Sequence, residues 1–125
     1  YRQEVLDLVN AQRAKYGLTA LEMGDDNLTA AAQTRAEEIA VVNSHVRPDG
    51  TKCFTVLKDY GVTDTPTGEN AAWGSVSPEE VVDAWMNSEG HRANILNPEA
   101  RKMSVGYYYN STSTWGHQWI QLFIK

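Results

Sequence analysis

The chain is poor in cysteine and in basic residues, and each shortage excludes a class of protein. Cys53 is the only cysteine among 125 residues, which excludes an intrachain disulfide and a zinc site built from several cysteines. Lysine and arginine number 11 against 16 acidic residues, giving a net charge of −5. Such a chain lacks the basic face that binds nucleic acid, and an anionic membrane does not attract it. Because no apolar run reaches the length of a bilayer span either, we expect no nucleic-acid partner and no transmembrane segment.

The remaining composition is that of an ordinary globular protein, 42% hydrophobic and 22% charged. This length supports one substantial core but not two, so we expect a single domain over residues 1–125. The first residues lack the charged and apolar regions of a signal peptide. Cys53 stands between Lys52 and Phe54, where nothing suggests an activated thiolate. We therefore interpret it as a half-buried thiol rather than a nucleophile.

Apolar residues at helical spacing predict two helices in the first third of the chain. The first extends from Tyr1 to Tyr16 and is stopped by Gly17, and residues 18–23 form a short extended connection. The second is capped by residues 25–27, continues to about Val42 and ends at Asn43-Ser44. Its predicted buried stripe is Leu28, Ala31, Ala32, Ile39 and Val42. Its predicted solvent-facing residues are Arg35, Glu37 and Glu38.

The middle of the chain contains turns and one clear helix start. Residues 47–50, Arg-Pro-Asp-Gly, predict a turn, residues 51–60 a short helix or irregular segment, and residues 61–66 a loop. Residues 77–80, Ser-Pro-Glu-Glu, form a capping box that begins a helix. The predicted buried face of that helix is Val81, Val82 and Trp85, together with Ser88. We expect the helix to end or kink at Gly90, and residues 91–96 to form a helical turn stopped by Asn97-Pro98.

The last quarter of the chain predicts a β-hairpin. One strand covers residues 103–109, a polar turn residues 110–114, and the return strand Trp115 to Ile124. On the return strand, residues 120, 122 and 124 share one face, and residues 117, 119, 121 and 123 share the other. Apolar side chains on both faces indicate a sheet covered on both sides. We therefore predict an α+β fold, a three-layer α-β-α sandwich.

The segment Gly68-Glu69-Asn70 carries the strongest chemical signal. Its carboxylate precedes small and aromatic apolar residues, and a charge in such surroundings needs a partner. The candidate partners are the only three histidines of the chain, His45, His91 and His117. Glu69 is interpreted as a base, a metal ligand or a structural partner of Arg47 or Arg92. Asn70 is interpreted as an amide that ties loops together.

Four motifs in a fixed order carry a family resemblance. They are Ser44-His45-x-Arg47-Pro48-Asp49-Gly50, Gly68-Glu69-Asn70-Ala71-Ala72, Trp85-x-x-Ser88-x-Gly90-His91-Arg92-x-Asn94-Ile95-Leu96 and Trp119-Ile120-Gln121-Leu122-Phe123. The set resembles the CAP superfamily (cysteine-rich secretory proteins, antigen 5, pathogenesis-related 1), specifically its bacterial, cysteine-poor, SCP-like branch. The resemblance covers essentially the whole chain. It implies an α-β-α sandwich with a central cleft and an extracellular or cell-surface location.

The resemblance also assigns site residues. Members with the full site place two histidines and two glutamates in the cleft, sometimes around a metal ion. His45 matches the first histidine and Glu69 the first glutamate, whereas Ser88 stands at the position of the second glutamate. Gln118 stands at the position of the second histidine, and the neighbouring His117 points to the other face of a strand. With His91 as a further imidazole, the expected cleft or ligand-binding residues are His45, Glu69, Asn70, Ser88 and His91.

Three functions follow as hypotheses. The first is a secreted or cell-surface monomer that binds a small ligand, peptide or cell-wall component in this reduced His/Glu cleft without established catalysis. The second is a metal-dependent hydrolase or peptidase, in which His45, Glu69 and His91 hold zinc or another divalent metal and His45 and Glu69 are the catalytic candidates. No short-spaced pair such as His-Glu-x-x-His supports the second. The third is a cell-wall or spore-coat interaction module whose cleft is vestigial.

Overall fold

A computed structural model describes residues 1–42, 44–111 and 116–125. The helices in this part of the chain are α1 (Arg2–Lys15), α2 (Asp26–Ile39), α3 (Thr55–Asp59), α4 (Pro78–Met86) and α5 (Glu89–Ile95). The strands are β1 (Glu22–Met23), β2 (Pro66–Trp73), β3 (Lys102–Tyr109) and β4 (His117–Ile124). No helix within these residues is long and apolar enough to cross a membrane.

The strands form one four-stranded sheet in the order β1-β3-β4-β2. The predicted hairpin is confirmed as β3 and β4, which pair antiparallel from Lys102 opposite Ile124 to Tyr109 opposite His117. The extended connection near residue 22 becomes β1, which pairs parallel with β3. Strand β2 pairs antiparallel with β4 and places Glu69 opposite Leu122. The predicted Trp115 start of the return strand and most of the predicted turn lie outside the described residues.

Helices cover both faces of the sheet, which confirms the predicted α-β-α layers. On one face, residues of α1 and α4 such as Val9 and Trp85 pack with Trp119 and Phe123 of β4. On the other, α2 and α3 pack against the alternate residues Ile120, Leu122 and Ile124. Both predicted faces of β4 are therefore buried, and each belongs to a separate apolar cluster.

Helix α2 lies very close to β3. Its small residues Ala31, Ala32 and Ala36 are fully buried, and Gly106 of β3 lies against the backbone of Ala32 and Gln33. A Cβ atom on Gly106 would lie 2.1 Å from the backbone oxygen of Ala32. The absence of a side chain at residue 106 is therefore what permits this spacing between helix and sheet.

The structure confirms the predicted helix starts better than the predicted ends. Asp25 caps α2 by accepting a hydrogen bond from the Leu28 amide, and Ser77 caps α4 through the Glu80 amide. Helix α2 stops at Ile39, so the prediction of a buried Val42 is wrong, since that residue is 38% exposed. The predicted stop at Asn43 lies outside the described residues.

The predicted break near Gly90 also falls elsewhere. Helix α4 ends at Met86, and Ser88, with an extended backbone, is the N-cap residue of α5. Gly90 therefore lies inside α5 rather than ending a helix. Because Ser88 follows the end of α4, it does not continue the buried face of that helix.

Candidate functional site

Glu69 lies at the centre of a buried group of charges. Its strand position opposite Leu122 directs the side chain to the α2 face of the sheet. Only 1% of that side chain is exposed. One carboxylate oxygen lies 2.7 Å from Nδ1 of His45, which follows the end of α2. The structure therefore brings His45 and Glu69 together.

The principal partner of Glu69 is Arg35 of α2. Nε of Arg35 donates to one oxygen of Glu69 at 2.8 Å, and Nη2 donates to the other at 3.0 Å. Such bidentate pairing is the strong, geometrically specific form of a carboxylate–arginine contact. The interpretation of Glu69 as a partner of Arg47 or Arg92 is therefore wrong.

Arg35 was predicted to face water, and this too is wrong, since it is fully buried. Residue 35 lies three positions after Ala32 and four before Ile39, on the apolar stripe of the helix. The helical spacing therefore indicates a buried position for residue 35, whereas the charge of its side chain suggested an exposed one. Arg35 also donates to Glu38 at 2.9 Å and to the Ser44 carbonyl at 3.0 Å, so it holds the residue before His45 in place.

A second arginine extends the network to α3. Arg47 donates from Nε and Nη2 to Glu38 at 2.8 to 3.1 Å, and from Nη1 to Asp59 at 2.8 Å. It also donates to the hydroxyl of Thr55 at 3.0 Å. The ion pairs therefore connect β2, α2, the segment that carries His45, and α3.

The network sets the protonation of the pair. Burial alone would raise the pKa of Glu69, but hydrogen bonds from His45 and Arg35 and the charge of Arg35 hold that pKa below its ordinary value. The hydrogen bond to Glu69 raises the pKa of His45, against the opposing effect of burial. Glu69 is therefore an anion, and His45 retains its proton to a higher pH than an isolated histidine.

His91 of α5 is half-buried near this pair. Burial, followed by the positive charge of His45, lowers the pKa of His91. Its ring has no hydrogen-bond partner in the described part of the chain, whereas its carbonyl accepts from Asn70 at 3.1 Å. The two imidazoles thus differ in protonation, with His45 favoured as the cation and His91 as the neutral base.

Asn70 points away from Glu69. It lies opposite Gln121 and donates to the Gln121 side chain at 3.1 Å, while its own oxygen accepts from Asn94 of α5 at 2.9 Å. Consecutive residues of a strand face opposite sides of the sheet. Asn70 therefore ties α5 to the sheet, whereas the sequence interpretation expected its amide to tie loops together. Asn94 and Gln121 were missed as members of this group, although both stand in the quoted motifs.

His117 lies apart from the carboxylate, and Ser88 has no histidine partner in the described part of the chain. His117 is five residues before Leu122 on β4, a separation of about 16 Å along a strand. Its Nδ1 lies 2.5 Å from the hydroxyl of Tyr107, and the neighbouring Gln118 is buried. The hydroxyl of Ser88 has no hydrogen bond to a histidine within the described residues, so a base that would activate it as a nucleophile is not in place.

The residues present do not fit the divalent metal that the resemblance implies. No three histidine, cysteine, aspartate or glutamate side chains in the described ranges form a group that could hold a metal ion. Both oxygens of Glu69 already accept hydrogen bonds from Arg35. A metal at this carboxylate would displace or repel a buried guanidinium.

Cys53 is buried rather than half-buried, with 7% of its surface exposed. Burial, followed by the charge of Glu69, raises the pKa of its thiol to about 11. The protonated thiol is a poor nucleophile. The prediction of an unactivated cysteine is confirmed.

The two imidazoles are expected to titrate in a fixed order, with His45 losing its proton at a higher pH than His91. Replacing Glu69 by glutamine removes the charge that holds the His45 proton, so the pKa of His45 should fall toward its ordinary value. The pKa of His91 should rise slightly, because His45 is then charged less often. Ring Cε1–Hε1 signals followed by NMR from pH 4 to 9 measure both values.

His117→Gln assigns the third histidine signal in that titration. The pKa of His45 is raised in the folded chain, so its bond to Glu69 also makes the stability of the fold depend on pH. This contribution to the free energy of unfolding is complete below the ordinary histidine pKa and is lost as the pH rises through the pKa of His45 in the folded chain. If His91 kept its proton to a higher pH than His45, the arrangement of charges described above would be contradicted.

Comparison with known proteins gives one family. A family model described as "CAP: Cysteine-rich secretory protein family" matches residues 6–123. YkwD of Bacillus subtilis, an uncharacterized protein, is 42% identical over 122 residues, which are 96% of this chain and 47% of that protein. YlbC of the same organism, an uncharacterized membrane protein, is 34% identical over 83% of this chain and 30% of its own length. The chain thus spans less than half the length of these curated relatives.

Solved structures give the same architecture. An extracellular protein containing an SCP domain from Bacillus anthracis matches 99% of this chain and 40% of its own, with a TM-score of 0.86 and 28% identity. An outer surface protein from Borrelia burgdorferi matches 98% of this chain and 90% of its own, with a TM-score of 0.80 and 26% identity. These likenesses extend along the whole chain.

Proposed function

The chain belongs to the CAP family, the cysteine-rich secretory protein family, and from this premise we propose that it is a secreted or cell-surface domain that binds a small ligand, peptide or cell-wall component at the His45–Glu69 pair without catalysis. The proposed ligand carries a hydrogen-bond acceptor, with a carboxylate as the best match. The longer relatives contain further chain, so this proposal concerns the domain alone.

The observation that carries the proposal is the exposure of His45. Its Nδ1 bonds to Glu69, yet 55% of its side chain is open to solvent. Its Nε2 has no hydrogen-bond partner in the part of the chain that the structure describes. An imidazolium held by a carboxylate on one side can donate from the other. A carboxylate is the acceptor that a charged donor binds most strongly.

We propose the absence of catalysis because of the surroundings of the Glu69 carboxylate. A general base needs a free lone pair within reach of a substrate proton. Glu69 is almost fully buried and receives hydrogen bonds from Arg35 and His45. Its role here is to orient and charge His45 rather than to accept a substrate proton.

The proposed location rests on relatives. The Bacillus anthracis protein is described as extracellular and the Borrelia burgdorferi protein as an outer surface protein. Peptides and cell-wall fragments are the ligands that a domain in such a place would meet.

Binding is expected with soluble peptidoglycan fragments or casein-derived peptides, and replacing His45 by glutamine should weaken it by roughly tenfold, since a charge-assisted hydrogen bond is worth about 1.5–3 kcal/mol. The measurement is an NMR titration of the labelled domain with each ligand set. The amides around residues 44–46, 69 and 91 should shift. His117→Gln is the matched control, because it makes the same chemical change at the far end of β4.

Unchanged binding in His45→Gln would overturn the proposal, as would shifts confined to other parts of the molecule. Wild type and Glu69→Gln, incubated for a day with casein or the peptidoglycan fragments, with and without a chelator, test for catalysis. Cleavage of casein or of the peptidoglycan fragments that requires Glu69 would contradict the binding function.

A further inference from the structure

Strand β3 has an outer edge that β1 covers only at its start. On one side β4 pairs with β3 along its whole length, whereas on the other side β1 pairs only with Lys102 and Met103. No strand in the described part of the chain pairs with the outer side of residues 104–109. An edge of this kind directs alternate backbone N–H and C=O groups outward, where another strand can add to them.

The sequence of this edge lacks the usual protection against such addition. Residues 103–109, Met-Ser-Val-Gly-Tyr-Tyr-Tyr, contain no charged residue and no proline. Natural edge strands are commonly protected by lysine, by proline or by their shortness. An uncharged segment rich in β-branched and aromatic residues is instead typical of strands that pair with copies of themselves. The protection of this edge therefore depends on other parts of the fold.

Gln33 of α2 bonds to β3 as a neighbouring strand would. Its Nε2 donates to the Tyr107 carbonyl at 2.8 Å, and its Oε1 accepts from the Tyr107 amide at 3.0 Å. These are the two bonds that a residue exchanges with the opposite residue of an antiparallel strand. Arg2 donates to the preceding outward carbonyl, that of Val105, at 3.1 Å. The side chains of two helices thus occupy the groups that a new strand would need.

Side chains close other edges of the sheet in the same way. Asn10 exchanges two bonds with the backbone of Leu21, the residue before β1, at 2.7 and 3.0 Å. On β2, Trp85 donates to the Ala71 carbonyl at 3.1 Å. Strand β3 differs from β1 in its length, with eight residues against two. The Gln33 amide therefore closes an edge that is long enough to bind a partner.

We propose that the outer edge of β3 is a self-association surface whose partner is a second copy of this chain, and that the Gln33 amide keeps it closed. Two opened copies pair antiparallel about Tyr107, with Val105 of each opposite Tyr109 of the other. Such a contact is self-complementary, as a two-fold dimer requires. Bonds between the two Tyr107 backbones replace those made to Gln33. The inference is independent of ligand binding at His45, which lies outside this edge.

Sedimentation equilibrium of the native chain and of Gln33→Ala tests the closed edge. The native chain should keep the mass of one chain. The mass of Gln33→Ala should rise toward twice that value between about 10 μM and 1 mM, the weak range expected of a small interface. Asn10→Ala is the matched control, because it removes the other two-bond amide beside a strand too short to add a partner.

Circular dichroism first establishes that both variants are folded. A folded Gln33→Ala that stays monomeric would overturn the proposal. A native chain that already dimerises, or an Asn10→Ala that associates as strongly as Gln33→Ala, would overturn it too.

A lysine on the strand locates the contact. The double variant Gln33→Ala/Tyr109→Lys should return to the mass of one chain, since a charge on an edge strand opposes pairing with a copy. Gln33→Ala/Tyr16→Lys is the matched control, because Tyr16 is 60% exposed, against 55% for Tyr109, and lies outside the sheet. Association that survives Tyr109→Lys, or that Tyr16→Lys abolishes equally, would refute pairing at this edge.

Hydrogen exchange of the native chain tests the cap without any variant. Asn110 bonds back to Gly116 across the hairpin, so by alternation the amides of Tyr107 and Tyr109 both point away from β4. Gln33 accepts from the first, and no side chain among the described residues caps the second. The Tyr107 amide should therefore exchange about a hundredfold more slowly than the Tyr109 amide. Similar rates at the two amides would show that Gln33 does not hold the edge closed and would overturn the proposal.

Discussion

Replacing Arg35 by methionine is expected to lower the free energy of unfolding by about 3–5 kcal/mol, the range typical of breaking a buried ion pair from one side. Arg35 has no exposed surface and holds both oxygens of Glu69. Methionine fills part of the same volume but leaves the Glu69 carboxylate buried without a guanidinium, although the hydrogen bond from His45 remains. It also removes the hydrogen bond to the Ser44 carbonyl, which positions His45.

Urea unfolding at pH 7, followed by circular dichroism, measures this loss. The double variant Arg35→Met/Glu69→Gln should recover a large part of it, because the uncompensated charge is then gone. Arg92→Met is the matched control at an exposed position of α5, where a change within about 0.5 kcal/mol is expected. A loss in Arg35→Met no larger than in the control would contradict a stabilising role for the pair.

The dependence of this loss on pH provides a second check. The folded pKa of Glu69 is depressed, so its stabilising contribution is present above the ordinary carboxylate pKa and is lost as the pH falls through the folded value. In Arg35→Met, Glu69 accepts a proton more readily and escapes the cost of a buried charge. The difference between the wild type and the variant should therefore shrink toward acid pH.

Replacing Gly106 by alanine is expected to cost about 3 kcal/mol, at the upper end of the usual penalty for overpacking. The added Cβ would lie 2.1 Å from the oxygen and 2.4 Å from the carbonyl carbon of Ala32. These are backbone atoms of α2, so no side-chain rotation relieves the clash. Helix and sheet must instead move apart, which loosens the apolar contacts on that face.

Gly90→Ala is the matched control for this substitution. Gly90 lies in α5, and a Cβ there meets nothing within 4 Å. Alanine is the better helix former, so the control should raise stability by about 0.5–1 kcal/mol. Thermal and urea unfolding of both variants measure the contrast. A loss below about 1 kcal/mol in Gly106→Ala would show that α2 is not held against β3 as tightly as this spacing implies.

The parts of the fold that the sequence predicts well are those determined by neighbouring residues. Caps at Asp25 and Ser77 act within one helical turn, and the alternation along residues 117–124 identifies both faces of β4 without knowledge of its partners. Strand β2 was not predicted, because its partner β4 lies some fifty residues further along the chain and its centre carries Glu69 and Asn70. Polar residues in a buried strand obscure the alternation that would reveal it.

The candidate site was predicted only in part, because its residues are distant from one another along the chain. His45 and Glu69 stand in recognisable motifs, so they could be named, although the geometry that joins them depends on tertiary contacts. Arg35 was assigned to the surface because a charged side chain is seldom fully buried without a partner. That partner lies 34 residues away, and only the folded chain brings the two together.

Arg35 has a consequence for the environments in which the His45–Glu69 pair keeps its charge balance. A cation bound from solution is present only when the surroundings supply it, and chelation or scarcity removes it. The guanidinium is part of the polypeptide, so each molecule carries its counter-charge from synthesis, in a fixed ratio of one to one with Glu69. Its positive charge also persists across the whole physiological pH range. The charge that balances Glu69 is therefore encoded in the amino-acid sequence and does not depend on ions in the medium.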